Sequence, residues 1–117
     1  MEGLSIYFNP GCSKCRTARG LLEERGVAAQ VVEYLDHAPT VPELLVLMAQ
    51  LGLDDPRLMM RTGEELYGTL GLADQSGDEL LEAMAAHPIL LERPIVVWQG
   101  RAVIARPPER LLELLDS

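Results

Sequence analysis

A chain of 117 residues with a hydrophobic share of 48% has enough apolar material for one packed domain spanning residues 1–117, without disulfide staples or a structural metal. A formal net charge of −8 argues against non-specific binding to nucleic acid or to an anionic membrane surface, both of which need basic patches. No run approaches the roughly 20 apolar residues of a membrane helix, and Met1-Glu2-Gly3 lacks the basic and apolar regions of a signal peptide.

Leu4 to Phe8 is short, apolar and rich in strand-forming types, and Asn9-Pro10-Gly11 follows as a turn. A helix is expected from Cys12 or Ser13, with Ala18, Leu21 and Leu22 on one face and Gly26 as its stop. Ala29 to Tyr34 reads as a second strand. The opening is therefore β-α-β with two parallel strands. Thr40 and Glu43 have capping-box spacing, and Pro42 stands in the first turn, where proline is tolerated. Leu44, Leu45, Met48 and Leu51 follow at helical spacing, and Gly52 ends that helix. Short helical pieces broken by Pro56, Gly63, Gly68 and Gly71 come next. Ser76 and Glu79 repeat the capping-box spacing before Leu80, Leu81, Met84 and Ala85. Residues from about 40 to 87 are thus read as wholly helical.

Ile95 to Trp98 and Ala102 to Ala105 flank Gln99-Gly100, which predicts a hairpin on a two-residue turn. Pro107-Pro108 opens a last helix carrying Leu111, Leu112 and Leu115. The order βαβ, helices, hairpin, helix is that of an α/β thioredoxin-like fold, a four-stranded mixed sheet with a helical insertion in its middle.

The expected location is cytoplasmic and reducing, so Cys12 and Cys15 are read as thiols, reactive or metal-binding, rather than as a structural bridge. Cys12-Ser13-Lys14-Cys15 follows a strand and a turn and opens a helix, where unpaired N–H groups and a partial positive charge favour a thiolate. The chain's one lysine, Lys14, lies between the cysteines, and Arg16 adds a further charge. An ordinary cysteine is only about 3% thiolate at pH 7, whereas a pKa near 6.5 makes it roughly three-quarters thiolate. Cys12, at the helix end, is expected to be the more exposed and more acidic sulfur. Cys15, one turn along, is more shielded and suits a resolving thiol. A zinc site would need further ligands, and His37 and His87 have no paired spacing. Two inert core thiols are the plain alternative.

Arg93-Pro94-Ile95 puts a proline directly before a strand, and Arg106 lies just beyond the hairpin. Guanidinium groups present a rigid fork of donors that matches a tetrahedral oxyanion. Taken singly, each of Arg61, Arg93 and Arg106 is more often a surface residue. Met59-Met60 reads as packing.

Ile6-Tyr7 and Asn9-Pro10-Gly11-Cys12-Ser13, with His87-Pro88-Ile89-Leu90 and Arg93-Pro94-Ile95-Val96-Val97, resemble the ArsC family of glutaredoxin-coupled arsenate reductases. Leu70-Gly71-Leu72 and Arg106-Pro107 fall where that pattern places them, so the resemblance runs from about Leu4 to Leu115. It implies that Cys12 is the nucleophile toward arsenate and that Arg61, Arg93 and Arg106 bind the oxyanion and hold the thiolate. It places Asn9 in the catalytic turn, with Ser13 and Lys14 beside the substrate. The thioredoxin-like fold implies a cis proline at Pro94 facing the cysteine, and a proline that merely starts the strand is the plain alternative. It implies no bound cofactor and no metal, a small oxyanion as substrate, an external thiol reductant (glutathione with glutaredoxin, or thioredoxin) and a monomer.

Two positions depart from the pattern. Many members carry a histidine before the Asn-Pro turn where this chain has Phe8, which leaves Lys14 or the arginines to promote ionisation. Glutaredoxin-coupled members commonly lack a thiol at the place of Cys15, which here would allow a Cys12–Cys15 disulfide. The same Cys-x-x-Cys resembles Spx-type regulators that bind RNA polymerase. Arg106, and the lack of a basic C-terminal tail, favour a reductase over such a regulator. A general thiol-disulfide reductase is the other alternative.

Overall fold

The structure, a computed structural model, describes residues 3–116. The chain forms two compact units: residues up to His37 together with those from Arg93 onward, and Ala38–Glu92.

The first unit is built on a four-stranded sheet of order β2-β1-β3-β4. β1 (Ser5–Tyr7) pairs in parallel with β2 (Gln30–Val32) and antiparallel with β3 (Ile95–Trp98), which pairs antiparallel with β4 (Arg101–Ile104). Alternation along the first strand buries Leu4, Ile6 and Phe8 and half-exposes Ser5 and Tyr7, as period-2 side-chain placement requires. β3 is central, so Ile95 and Val96 are both fully buried. The hairpin closes through Gln99 and Gly100 at φ 50 and 76, the double left-handed turn that matches strand twist and favours glycine second.

Helix α1 (Ser13–Glu24) crosses between the two parallel strands. Cys15, Ala18 and Leu22 form its buried face against Leu4, Ile6, Phe8, Val96, Val103, Leu111 and Leu114. Burying a leucine of this kind stabilises the fold by about 1.5–3 kcal/mol. The C-terminal segment differs from its expected form. It begins as a 3-10 turn (Pro108–Leu111) before the α-helical turn Leu112–Leu115, and the tighter turn shifts the phase. Leu111 and Leu114 are therefore the buried pair, while Leu112 and Leu115 pack at the margin.

The second unit is helical. α2 (Val41–Gln50), α3 (Glu65–Thr69) and α4 (Gly77–Ala86) alternate with 3-10 turns at Pro56–Met59, Leu72–Asp74 and Pro88–Leu90. The Thr40 capping box is complete, with Glu43 N–H donating to Thr40 Oγ1 at 3.3 Å and Thr40 N–H donating to Glu43 Oε1 at 3.0 Å. The Ser76 box is not formed, and Ser76 caps α4 with no side-chain bond. The buried face of α2 is Leu44 and Leu47, and Leu45 of the expected stripe is exposed. Arg57 ties the loops together, donating from Nε to Tyr67 Oη at 2.9 Å and from Nη2 to the carbonyls of Leu72 and Gln75 at 3.2 and 3.1 Å. Met59 and Met60 are buried core residues. Among the described residues no helix is long and apolar enough to cross a membrane.

Candidate functional site

The site grows out of the turn between β1 and α1. Asn9 Oδ1 accepts the Gly11 N–H at 2.9 Å, and the Asn9 carbonyl accepts the Cys12 N–H at 2.9 Å. Asparagine is suited to such a turn because its side chain can bond the backbone two residues on. Arg16 reaches back from the first helical turn and donates from Nη1 to the Pro10 carbonyl at 2.7 Å. The loop is thus braced from both sides, and it delivers Cys12 to the N-cap position of α1 with extended backbone, φ −98 and ψ 120.

The two sulfurs sit in unlike surroundings. Cys12 is 7% exposed and Cys15 fully buried, and both are free thiols. Burial works against charge on Cys12, but three groups outweigh it: the Cys15 N–H, the Cys15 thiol, and the hydrogen bond and positive charge of Arg93. The Cys12 thiol is therefore held below its ordinary value of 9.0. No bond of full capping geometry closes on the Cys12 side chain, so the Cys15 N–H acts on the sulfur as a nearby helix-terminal dipole. Burial pushes the Cys15 thiol up to about 11, against an N–H from Asn9. Hydrogen bonding to Cys12, and the negative charge there, add to that rise. These surroundings favour the proton on Cys15 over Cys12.

Arg93 and Arg106 come together at the start of β3 and the end of β4. Arg93 contacts the Cys12 sulfur, and Arg106 donates from Nη1 to the Arg93 carbonyl at 2.9 Å. Both residues precede cis prolines, Pro94 and Pro107. The first was implied by the thioredoxin-like fold; nothing in the spacing marked the second. Nε and Nη1 of Arg93 are buried, so its charge acts in a partly dry setting, where electrostatic effects are larger than in water.

The remaining sequence-selected residues are placed as follows. Ser13 and Lys14 are exposed on the first turn of α1. Lys14 is not among the groups that lower the Cys12 thiol; those are the Cys15 N–H, the Cys15 thiol and Arg93. Arg61 belongs to the helical unit. Its N–H donates to the Leu90 carbonyl at 2.7 Å, and its guanidinium is held by Glu64 at 2.8 Å. Sequence reasoning missed the bracing by Arg16 and the placement of Arg19 over the Phe8 ring at 5.5 Å. The recurrence of arginine at 16 and 19 was the available signal. Among the described residues no group of three His, Cys, Asp or Glu stands together in a way that would hold a metal ion.

The sequence matches the ArsC family over residues 7–114. The chain belongs to the ArsC family. Members similar to it include the arsenate reductase of Neisseria meningitidis, 49% identical over 98% of this chain and 100% of that protein. The arsenate reductase of Escherichia coli is 37% identical over all of this chain and 84% of that protein. The structure of an arsenate reductase from Vibrio cholerae superposes with a TM-score of 0.92 at 54% identity, covering 94% of this chain and 95% of that one. Within the ArsC family frame, the four-stranded mixed sheet with interspersed helices is the thioredoxin-like architecture expected from the element order.

Proposed function

We propose that this chain is an arsenate reductase in which the Cys12 thiolate attacks arsenic(V). The observation that carries the reading is a sulfur at a helix N-terminus, held below its ordinary pKa by the Cys15 N–H and thiol and by contact with Arg93. In the first step an arsenic–sulfur bond forms and an arsenic–oxygen bond breaks, and the oxygen leaves as water after taking up a proton. The guanidinium of Arg93 neutralises charge on the oxyanion, and Arg106 positions it through the Arg93 carbonyl. The family pattern assigns Arg61 to the same anion.

Consuming the negative charge of Cys12 removes two of the influences that hold the Cys15 thiol high. Cys15 then loses its proton more readily and attacks the Cys12 sulfur. A Cys12–Cys15 disulfide forms, the sulfur–arsenic bond breaks, and its electron pair stays on arsenic, which leaves as arsenite after protonation. Two thiols are oxidised and arsenic(V) becomes arsenic(III). An external thiol, through glutaredoxin or thioredoxin, returns the pair to thiols, as a cytoplasmic reducing poise allows.

Arsenate-dependent NADPH oxidation tests the reading, run once with glutathione plus glutaredoxin and once with thioredoxin plus its reductase. Turnover in at least one is expected. Turnover of a disulfide substrate with none of arsenate would replace the reading by general thiol-disulfide exchange.

A further inference from the structure

Arg61 is anchored by its backbone on both sides. Met60 and Leu91 form an antiparallel bridge, flanked by the Arg61 N–H donating to the Leu90 carbonyl at 2.7 Å and the Glu92 N–H donating to the Met59 carbonyl at 2.9 Å. The segment Leu90-Leu91-Glu92 runs directly on in the chain to Arg93. After Arg61 the backbone makes a turn, closed where the Glu64 N–H donates to the Arg61 carbonyl at 3.0 Å. That turn brings the Glu64 side chain back to the arginine, and its Oε2 meets Nη1 at 2.8 Å.

We propose that Glu64 is the positioning residue for Arg61: its carboxylate holds one end of the guanidinium and keeps the other edge fixed as a fork for a tetrahedral anion. The inference rests on the arsenate-reductase reading for the anion that this fork meets.

Geometry, burial and residue type point the same way. A guanidinium carries its donors in one plane, and a partner on Nη1 leaves the edge formed by Nε and Nη2, whose parallel N–H groups match two oxygens of an oxyanion. The pair is largely shielded, with side chains 26% and 24% exposed. The ion pairs of Arg19, Arg25 and Arg110 are longer, at 3.5, 3.6 and 3.1 Å, and their arginine side chains are about half-exposed. Exposed pairs of that kind hold a long side chain weakly, whereas a shielded pair confines both partners.

Glu64 is also an unusual residue for its backbone position. It is the N-cap of α3, where serine, threonine, aspartate and asparagine are favoured, and its side chain makes no capping bond. What the longer acid does there is reach back to Arg61. Ordering the arginine before an anion arrives removes that entropic cost from binding, so the benefit falls on affinity rather than on the chemical step.

The test measures the affinity of inorganic phosphate, an unreactive tetrahedral anion, by NMR titration of the folded protein in a double-mutant cycle. Glu64→Ala should weaken phosphate about 3- to 10-fold, the ordering cost of one long side chain. Glu64→Gln, which keeps an acceptor for Nη1, should recover part of that loss, and it carries the same cycle if Glu64→Ala loses its helical circular dichroism. Arg61→Ala should weaken phosphate at least as much. Adding Glu64→Ala to Arg61→Ala should change nothing further, because a residue that acts through another has no effect once the other is gone. In arsenate turnover Glu64→Ala should raise KM by a similar factor and leave kcat near that of the parent. Phosphate affinity that is unchanged or tighter in Glu64→Ala overturns the inference, and so does an equal further loss on the Arg61→Ala background. The expected phosphate pattern in a protein that never turns over arsenate would sink the reductase reading and leave the positioning role standing. A parent that binds no phosphate at all removes both.

Discussion

The helical unit of Ala38–Glu92 and the sheet unit that holds the cysteines obey different logics. In the helical unit the defining interactions are local or structural: the Thr40–Glu43 box, the Arg57 bonds to neighbouring loops, and a methionine- and leucine-rich interior. In the sheet unit the defining interaction joins residues from opposite ends of the chain, since Cys12 leaves β1 and Arg93 enters β3. β1 and β3 are direct neighbours, with Tyr7 paired to Ile95, and this register brings the thiolate and the guanidinium together. A charge that would be screened on a surface therefore acts on a sulfur that is nearly buried.

The largest expected effect is Cys12→Ser. It should cut arsenate turnover by on the order of a thousandfold or more, because the step loses its nucleophile, while thermal unfolding stays near that of the parent. Comparable loss from a core substitution such as Leu44→Ala in the helical unit, with stability intact, would erase the contrast between the units.

Next is the alkaline limb of stability. The Cys15 thiol is raised from 9.0 to about 11, so its protonated form is favoured in the fold. That contribution is complete below about pH 9 and is lost as pH rises through about 11. Cys12 has the opposite sign. Its lowered thiol adds stability that is present above pH 9.0 and is lost as pH falls through the lowered value. Denaturant midpoints measured at pH 9 and pH 11 should fall more steeply in the parent than in Cys15→Ala.

Arg93→Ala follows, with an expected rise in the arsenate KM of about 10- to 100-fold, the loss of one or two charge-assisted hydrogen bonds. Arg93→Lys should recover part of this, since it restores the charge without the fork. The smallest pair separates formed from unformed caps. Thr40→Ala should cost about 1 kcal/mol in chemical denaturation and Ser76→Ala close to nothing, because only the first side chain closes a capping bond.

Strands, the first helix and the hairpin were legible because their signals are periodic or tied to one turn. The alternation at Leu4, Ile6 and Phe8 and the Gln99-Gly100 turn needed no distant partner to read. Packing phase was less legible. Leu45 fits a helical stripe as well as Leu47 does, and only the tertiary environment selects between them. Leu114 was overlooked because a 3-10 turn precedes it and rotates the face. Ser76 and Glu79 have the right types and spacing, yet spacing does not fix the rotamers that close a box.

At the site, Cys12 and Cys15 were legible as an acidic outer and a shielded inner sulfur, since both follow from a helix N-terminus. The partner of Cys12 was not. Lys14 is adjacent in sequence but exposed, whereas Arg93 arrives through strand pairing that no local pattern encodes. Family resemblance supplied Arg93 where spacing did not.

The central claim is that Arg93, together with the Cys15 N–H and thiol, lowers the pKa of the Cys12 thiol below its ordinary value. Its direct measurement is the pH dependence of iodoacetamide alkylation at Cys12, in the parent and in Arg93→Ala. The account predicts a midpoint below 9.0 in the parent and an upward shift in the variant. A parent midpoint at or above 9.0, or identical curves for the two proteins, would contradict it.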